Sequence, residues 1–291
     1  MRCCTARGNC LRSPSSNPFL PITFVLSLSL RRFVSYDGSS YIDCCKRYKP
    51  TPARELSPAS FVSNIKSFDH IVGNVRSLSS TTTSLNCWWP KKTLGPLTNF
   101  AFFTAEDVGT PNSGLNSVVY RPTPKDGKVS SSVLMPLNEP VDGTIQSQIT
   151  TFLNENGGEG VQHVAISCLS VASQVRYMKS IGVDFMPPPP PTYYDIVWNT
   201  KVEGKMDREE FEELSELGIL VDVEKAGTAD EGILMQIFTK PLGPRPTFFF
   251  EFITRRGCAN NSIGCGGFGK GNFKALYLAI EKNERSLGIV K

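Results

Sequence analysis

The sequence predicts an α+β fold in which two similar sets of strands follow one another along the chain. Strand-like segments rich in β-branched and aromatic residues begin near residue 69, and a second group begins near residue 160. Each group opens with a strand that carries one histidine, His70 in D-H-I-V and His163 in Q-H-V-A-I. This repeated order indicates an internal structural repeat.

The first set contains four predicted strands and lacks a clear helix. The strands are expected at residues 69–75, 100–107, 115–120 and 131–137. Residues 77–95 are rich in serine and threonine, which are poor helix formers in the interior of a helix. We therefore expect the helix that should follow the first strand to be degraded.

The second set alternates strands with amphipathic segments. A strand at residues 160–167 precedes a helix at residues 170–182, whose apolar residues recur at helical spacing. A second helix is expected at residues 206–218, because acidic residues lie near its start and a glycine follows it. Three strands then end near residue 254, and a closing helix begins at about residue 272.

Bulk properties exclude several classes of protein. The formal charge of +4 is spread along 291 residues without a basic run, which argues against nucleic-acid binding. Nine cysteines occur without a C-x-x-C pair, so a zinc ribbon is not indicated and a reducing compartment such as the cytoplasm is favoured. No apolar stretch is long enough to span a membrane as a helix.

The amino terminus admits three interpretations. Residues 1–36 contain five arginines and no acidic residue, which is typical of a transit peptide and leaves a plastid location open. A secretory signal and an unstructured segment are the other two interpretations. We expect three regions: a divergent amino-terminal remnant at residues 1–60, a first unit at 66–157 and a second unit at 158–291.

A metal site is the chemistry that this sequence best supports. His70 and His163 are the only histidines, and Glu251 lies in the apolar run F-F-F-E-F-I. A buried carboxylate needs a compensating cation or hydrogen-bond donors, and two imidazoles with one carboxylate form the facial triad of non-haem Fe(II) sites. The residues alone leave alternatives open: the histidines could be satisfied core groups, the glutamate could face solvent, and Mn(II) or zinc would fit equally well.

Long strings of this sequence closely resemble plant 4-hydroxyphenylpyruvate dioxygenases. They include DHIVGNV, FTAEDVGT, GGEGVQH, LMQIFTKPLG and GCGGFGKGNF, and the resemblance covers roughly residues 67–291. It implies paired βαβββ modules of the vicinal oxygen chelate superfamily that form a half-open barrel around a metal. It also implies that His70, His163 and Glu251 hold Fe(II).

The resemblance implies a reaction and a pocket as well. The substrates would be 4-hydroxyphenylpyruvate and O2, and the products homogentisate and CO2, in tyrosine breakdown and in tocopherol and plastoquinone supply. The family's polar pocket positions correspond to Ser117, Asn138, Gln148, Gln162 and Gln236. Its apolar pocket positions correspond to Phe238, Phe249, Phe268, Phe273 and Leu276, the last on a helix that acts as a gate.

The departures from the family leave a second hypothesis open. The family's amino-terminal domain is almost wholly absent, and residues 77–95 match nothing in the family. The alternative is therefore an inactive remnant that binds metal or pairs with full-length subunits. A sibling activity, 4-hydroxymandelate synthase, uses the same ligands, and pairing into a homodimer is also compatible with the resemblance.

Overall fold

A computed structural model describes residues 64–89, 95–123, 133–224, 231–257, 267–286 and 288. The expectations for residues 1–60, including a targeting segment, lie outside the described residues. Within the described ranges, no helix combines the length and the apolar character that crossing a membrane requires.

Eight strands form one curled, mixed sheet. The first four are β1 (Ile65–Asn74), β2 (Leu97–Phe103), β3 (Gly114–Pro122) and β4 (Met135–Val141). The other four are β5 (Gly160–Cys168), β6 (Leu220–Glu224), β7 (Gly232–Phe238) and β8 (Phe249–Arg256). The order across the sheet is β2-β3-β4-β1-β5-β8-β7-β6. In each half the first strand runs parallel to the fourth, and the antiparallel pair β1–β5 joins the halves.

Helices connect the strands and cover the sheet. They are α1 (Leu78–Trp88), α2 (Ala105–Val108), α3 (Gln148–Glu155), α4 (Val171–Ser180), α5 (Pro191–Val197), α6 (Arg208–Leu217) and α7 (Lys270–Ser286). A π-helical turn, Trp198–Val202, extends α5. Each half therefore follows the order βαβββ, and the predicted fold class is confirmed. The sequence did not predict α3, and the strand predicted at residues 100–107 ends at Phe103.

The helix that we expected to be degraded is present as α1. Ser77 caps its first turn, because its side chain accepts a hydrogen bond from the amide of Ser80 at 3.3 Å. Leu78 and Leu85 of α1 pack against the sheet in one cluster with Tyr120. Burial of these side chains outweighs the weak helix propensity of the serines and threonines, since most helix stability in proteins comes from packing.

Removal of the α1 cap tests this correction. We expect Ser77→Ala to lower the free energy of unfolding by about 1 kcal/mol, because one orphan amide of the first turn loses its acceptor. Urea unfolding measures the change. The matched control is Ser80→Ala, on the exposed face of the same helix, which we expect to change stability by less than about 0.5 kcal/mol. Equal losses for the two variants would contradict the assigned cap.

Side chains alternate between the two faces of the sheet and so separate the core from the site. On the outer face, α4 and α6 pack over residues such as Val221, Met235 and Phe252. On the inner face, α7 contacts both halves of the chain. Its Phe273 packs with Phe103 of the first half, and its other apolar residues pack with Phe238 and Phe249 of the second.

Candidate metal centre

Three side chains from three adjacent central strands meet on the inner face of the sheet. His70 on β1 is paired in register with Ala165 on β5, and Ala165 is paired with Glu251 on β8. The methyl group of Ala165 is too short to separate its neighbours, so the side chains of His70 and Glu251 meet above it. His163 lies two residues before Ala165 and therefore points to the same face.

The geometry of these three residues suits a single metal ion. Glu251 Oε2 lies 3.0 Å from His70 Nε2 and 3.3 Å from His163 Nε2. One ligand atom from each residue lies within 4.8 Å of the other two, and all three side chains are buried. Glu251 Oε1 is buried without a hydrogen-bond partner, although a carboxylate oxygen in such a place needs a donor or a cation. A divalent ion between the three residues would satisfy it.

The charge state of Glu251 fits a ligand. Burial by itself would raise the pKa of this carboxyl, but the charge of His70 and the hydrogen bonds from both histidines outweigh burial and lower the pKa. Glu251 is therefore ionised at neutral pH, as a metal ligand must be.

The environment of His70 is more strongly charged than that of His163. Burial lowers the pKa of His70, but the charges of Glu251 and Asp69 and their hydrogen bonds raise it to about 9. For His163, burial dominates and the pKa is lowered. On the side away from Glu251, His70 Nδ1 lies 2.8 Å from Asp69 Oδ1, whereas His163 Nδ1 lies 3.1 Å from the neutral Gln162 Oε1.

Each histidine and its hydrogen-bond partner are consecutive residues, which a regular strand would place on opposite faces. A register shift between Phe68 and His70 makes Asp69 an extra residue in β1. A second shift, opposite Val72 and Gly73, makes Gln162 an extra residue in β5. These β-bulges turn both partners inward, so that Asp69 and Gln162 are buried beside the ring that each contacts.

The predicted polar residues are all buried on this side of the sheet. Ser117, Asn138, Gln148, Gln162 and Gln236 are each at most 6% exposed. Ser117 pairs in register with Asn138, and Asn138, Gln148 and Gln162 line one cavity. Ser117 Oγ, Asn138 Oδ1 and Gln148 Oε1 have no hydrogen-bond partner. Buried polar atoms without partners are rare in native proteins, so their number here indicates a site for a polar ligand.

The predicted apolar residues lie around the two histidines and along α7. Phe249 stacks on His163 with 4.8 Å between ring centroids, and the ring of Phe238 lies 6.0 Å from the same histidine. Phe268, just before α7, lies 4.9 Å from the ring of His70. Phe273 and Leu276 of α7 line the cavity with the polar residues. Helix α7 therefore covers the cavity. The side-chain oxygen of Gln236 lies close to Gly269, directly before α7.

Sequence reasoning missed three side chains of this site. Asp69 binds Arg255 through two hydrogen bonds, Nε to Oδ2 and Nη2 to Oδ1, both 2.9 Å long. Asn74 is fully buried beside Asn138, and its Nδ2 has no partner. The available signal was a charged residue in the apolar string D-H-I-V, directly before a predicted ligand.

The sequence is similar to curated 4-hydroxyphenylpyruvate dioxygenases from plants and animals. It is 44% identical to the Hordeum vulgare protein over 270 residues, which is 88% of this chain and 57% of that protein. For the Arabidopsis thaliana protein the identity is 44% over 236 residues, which is 77% of this chain and 49% of the relative. The Danio rerio protein is 34% identical to this chain, and the match covers 59% of that protein. The chain thus spans about half the length of these relatives. No family model matches it.

Solved structures agree with these relatives. A mutant 4-hydroxymandelate synthase from Streptomyces coelicolor superimposes with a TM-score of 0.59 at 26% identity, over 76% of this chain and 55% of that one. A fusion of a xylose isomerase-like TIM barrel with 4-hydroxyphenylpyruvate dioxygenase gives a TM-score of 0.51 at 22% identity and supports the fold alone. The chain is therefore a homologue of the plant 4-hydroxyphenylpyruvate dioxygenases over about half of their length, and it has the paired βαβββ fold of vicinal oxygen chelate proteins.

Proposed function

We propose that this protein is an Fe(II)-dependent dioxygenase that converts 4-hydroxyphenylpyruvate and O2 into homogentisate and CO2, a step of tyrosine breakdown. The observation that carries the proposal is the buried group of His70, His163 and Glu251 beside a cavity with unsatisfied polar atoms. The 44% identity to plant enzymes of this activity supports it. Location in the cytoplasm or a plastid and pairing into a homodimer stay predictions.

The donor set fits iron in its ferrous state. Two neutral imidazoles and one carboxylate leave positions free for other ligands, which is the arrangement of non-haem Fe(II) oxygenases. When bound, the iron would supply the redox chemistry with O2 and a chelating point for a 2-oxo acid. The protein's part is to present both Nε2 atoms and the ionised carboxylate of Glu251 in one place.

The side chains in and around the cavity suit the chemistry of the remainder of the proposed substrate. Ser117, Asn138 and Gln148 offer hydrogen bonds without adding charge, which suits a phenol and a keto acid. Phe238 and Phe249 lie on the His163 side and Phe273 on the α7 side, so a flat ring between them would have aromatic contacts on both faces. Helix α7 closes the cavity and would keep bulk water from the reacting groups.

Product analysis tests the proposal directly. Purified protein is supplied with Fe(II), O2 and 4-hydroxyphenylpyruvate, and the products are separated by chromatography beside a thermal melt of the same sample. Homogentisate with a cooperative melt supports the proposal. 4-Hydroxymandelate would indicate the sibling activity instead. A cooperative melt with bound iron but no product would support the inactive remnant and contradict the proposed activity.

A further inference from the structure

We propose that Asp69 and Arg255 act as a positioning pair, which fixes the ring of His70 for the metal and ties it to the start of α7. This inference rests on the proposed metal site. It concerns two residues that would not touch the metal themselves, and it follows from the hydrogen bonds on the far side of the histidine.

The first step concerns the tautomer of His70. Its Nε2 faces Glu251 at 3.0 Å and would be the metal ligand, so the neutral ring must carry its proton on Nδ1. With this proton, Nδ1 donates a hydrogen bond to Asp69 Oδ1, which is 2.8 Å away. Both oxygens of Asp69 also accept from Arg255, so Asp69 acts only as an acceptor and permits only the tautomer that leaves Nε2 free.

The second step concerns the charge of Asp69. This carboxylate is 1% exposed, and Arg255 holds it with the two parallel hydrogen bonds described above. Because a guanidinium can only donate, both oxygens of Asp69 serve as acceptors, and the two bonds fix their direction. Arg255 also offsets the negative charge of Asp69 at short range.

The third step concerns the connection to α7. Arg255 Nη1 donates a 2.8 Å hydrogen bond to the carbonyl of Gly267. The next residue, Phe268, places its ring against His70. Gly267 has a φ of +82°, and a side chain there would collide with Glu224, so this position requires a glycine. One guanidinium therefore fixes both the partner of His70 and the segment that packs on its ring.

Binding of Co(II), followed by its visible absorption, tests the pair without requiring turnover. We expect Asp69→Asn and Arg255→Met each to raise the dissociation constant for Co(II) by about 10- to 100-fold, as for other outer-shell partners of metal-bound histidine. Their absorption bands should shift, because a reoriented imidazole changes the ligand field. Arg255→Lys keeps the charge but loses the two-pronged geometry, so it should give an intermediate dissociation constant.

Arg256 provides the matched control. It is the next residue of β8, and it forms a similar two-pronged pair with Glu210, but on the exposed face. Arg256→Met should leave both the dissociation constant and the Co(II) spectrum unchanged. If Arg255→Met does not fold, the double variant Asp69→Asn with Arg255→Met removes both charges of the pair together and carries the test.

The outcomes separate this inference from the proposed function. Binding within about threefold of the wild type, with an unchanged spectrum, in Asp69→Asn and in Arg255→Met or its double variant would overturn the positioning role. An equal loss in Arg256→Met would overturn it as well. Failure of the wild-type protein to bind Co(II) or Fe(II) would instead overturn the metal site.

Discussion

Replacement of His163 by alanine is expected to abolish stoichiometric metal binding. The imidazole is 2% exposed and points at Glu251, so no other side chain of the described residues can take its place within the group. Loss of an outer-shell partner alone costs 10- to 100-fold in metal affinity, so loss of a ligand should raise the dissociation constant by more than about 100-fold.

Calorimetric titration with Fe(II) under anaerobic conditions measures this loss, and a thermal melt shows whether the variant is folded. Val164→Ala is the matched control, because it truncates the next buried side chain of β5 without touching the three ligands. The control should bind one metal ion even though its stability falls by about 1 to 3 kcal/mol. One tightly bound iron in His163→Ala would disprove the assigned triad.

Replacement of Glu284 by glutamine is expected to change how stability depends on pH. Glu284 on α7 is 2% exposed, and among the described residues that line a second cavity, with Gln148 and Phe249, it is the only charged one. Burial, aided by the nearby charge of Glu281, raises the pKa of its carboxyl from 4.5 to about 7. The folded protein therefore keeps this group protonated over a range in which the unfolded chain ionises it.

The sign of the effect follows from this raised pKa. Stability from the neutral carboxyl is fully present below pH 4.5 and is lost as the pH rises through about 7. Glutamine does not titrate, so Glu284→Gln lacks this loss. The free energy of unfolding of the variant minus that of the wild type should therefore increase by about 3 kcal/mol between pH 4.5 and about pH 8. Urea unfolding of metal-free protein at both pH values measures the difference. The exposed substitution Glu216→Gln is the control, and a flat difference for Glu284→Gln would contradict the raised pKa.

The fold and the meeting of the ligands were within reach of sequence reasoning. His70 and His163 each occupy a short apolar strand, and the repeated order of strands brings two such strands together. The run of phenylalanines around Glu251 left both burial and a solvent-facing position open, and the structure brings the buried glutamate to both histidines. These signals are local or repeated, so a sequence displays them.

The contacts of Asp69 with His70 and Arg255 could not be predicted in this way. Strict alternation along β1 would place Asp69 on the face opposite His70, and only the bulge brings it inside. Its partner Arg255 lies 186 residues away in the sequence, and no local sequence pattern predicts such a contact. The prediction that α1 would be degraded was wrong for a different reason. The sequence shows the low helix propensity of residues 77–95, but it does not show that Leu85 packs against the sheet.

The sheet has an approximate twofold symmetry that the metal ligands do not obey. Rotation about an axis between β1 and β5 places each strand on the other and exchanges the positions of His70 and His163. In the second half, the strand parallel to the histidine strand contributes Glu251, two residues beyond the partner of His163. In the first half, His70 lies opposite Leu134 of the parallel strand β4. The residue two positions beyond Leu134, which corresponds to Glu251, is Pro136.

Proline has no side-chain donor atom, so the fourth corner of a symmetric cage is missing. The gap opens toward the first half of the chain, which carries the unsatisfied atoms of Asn74, Ser117 and Asn138. In a fully symmetric pair of modules, a ligand at this position would occupy one more coordination position of a bound ion. With Pro136 there instead, an ion held by His70, His163 and Glu251 would keep that coordination position for a small molecule that binds through oxygen atoms.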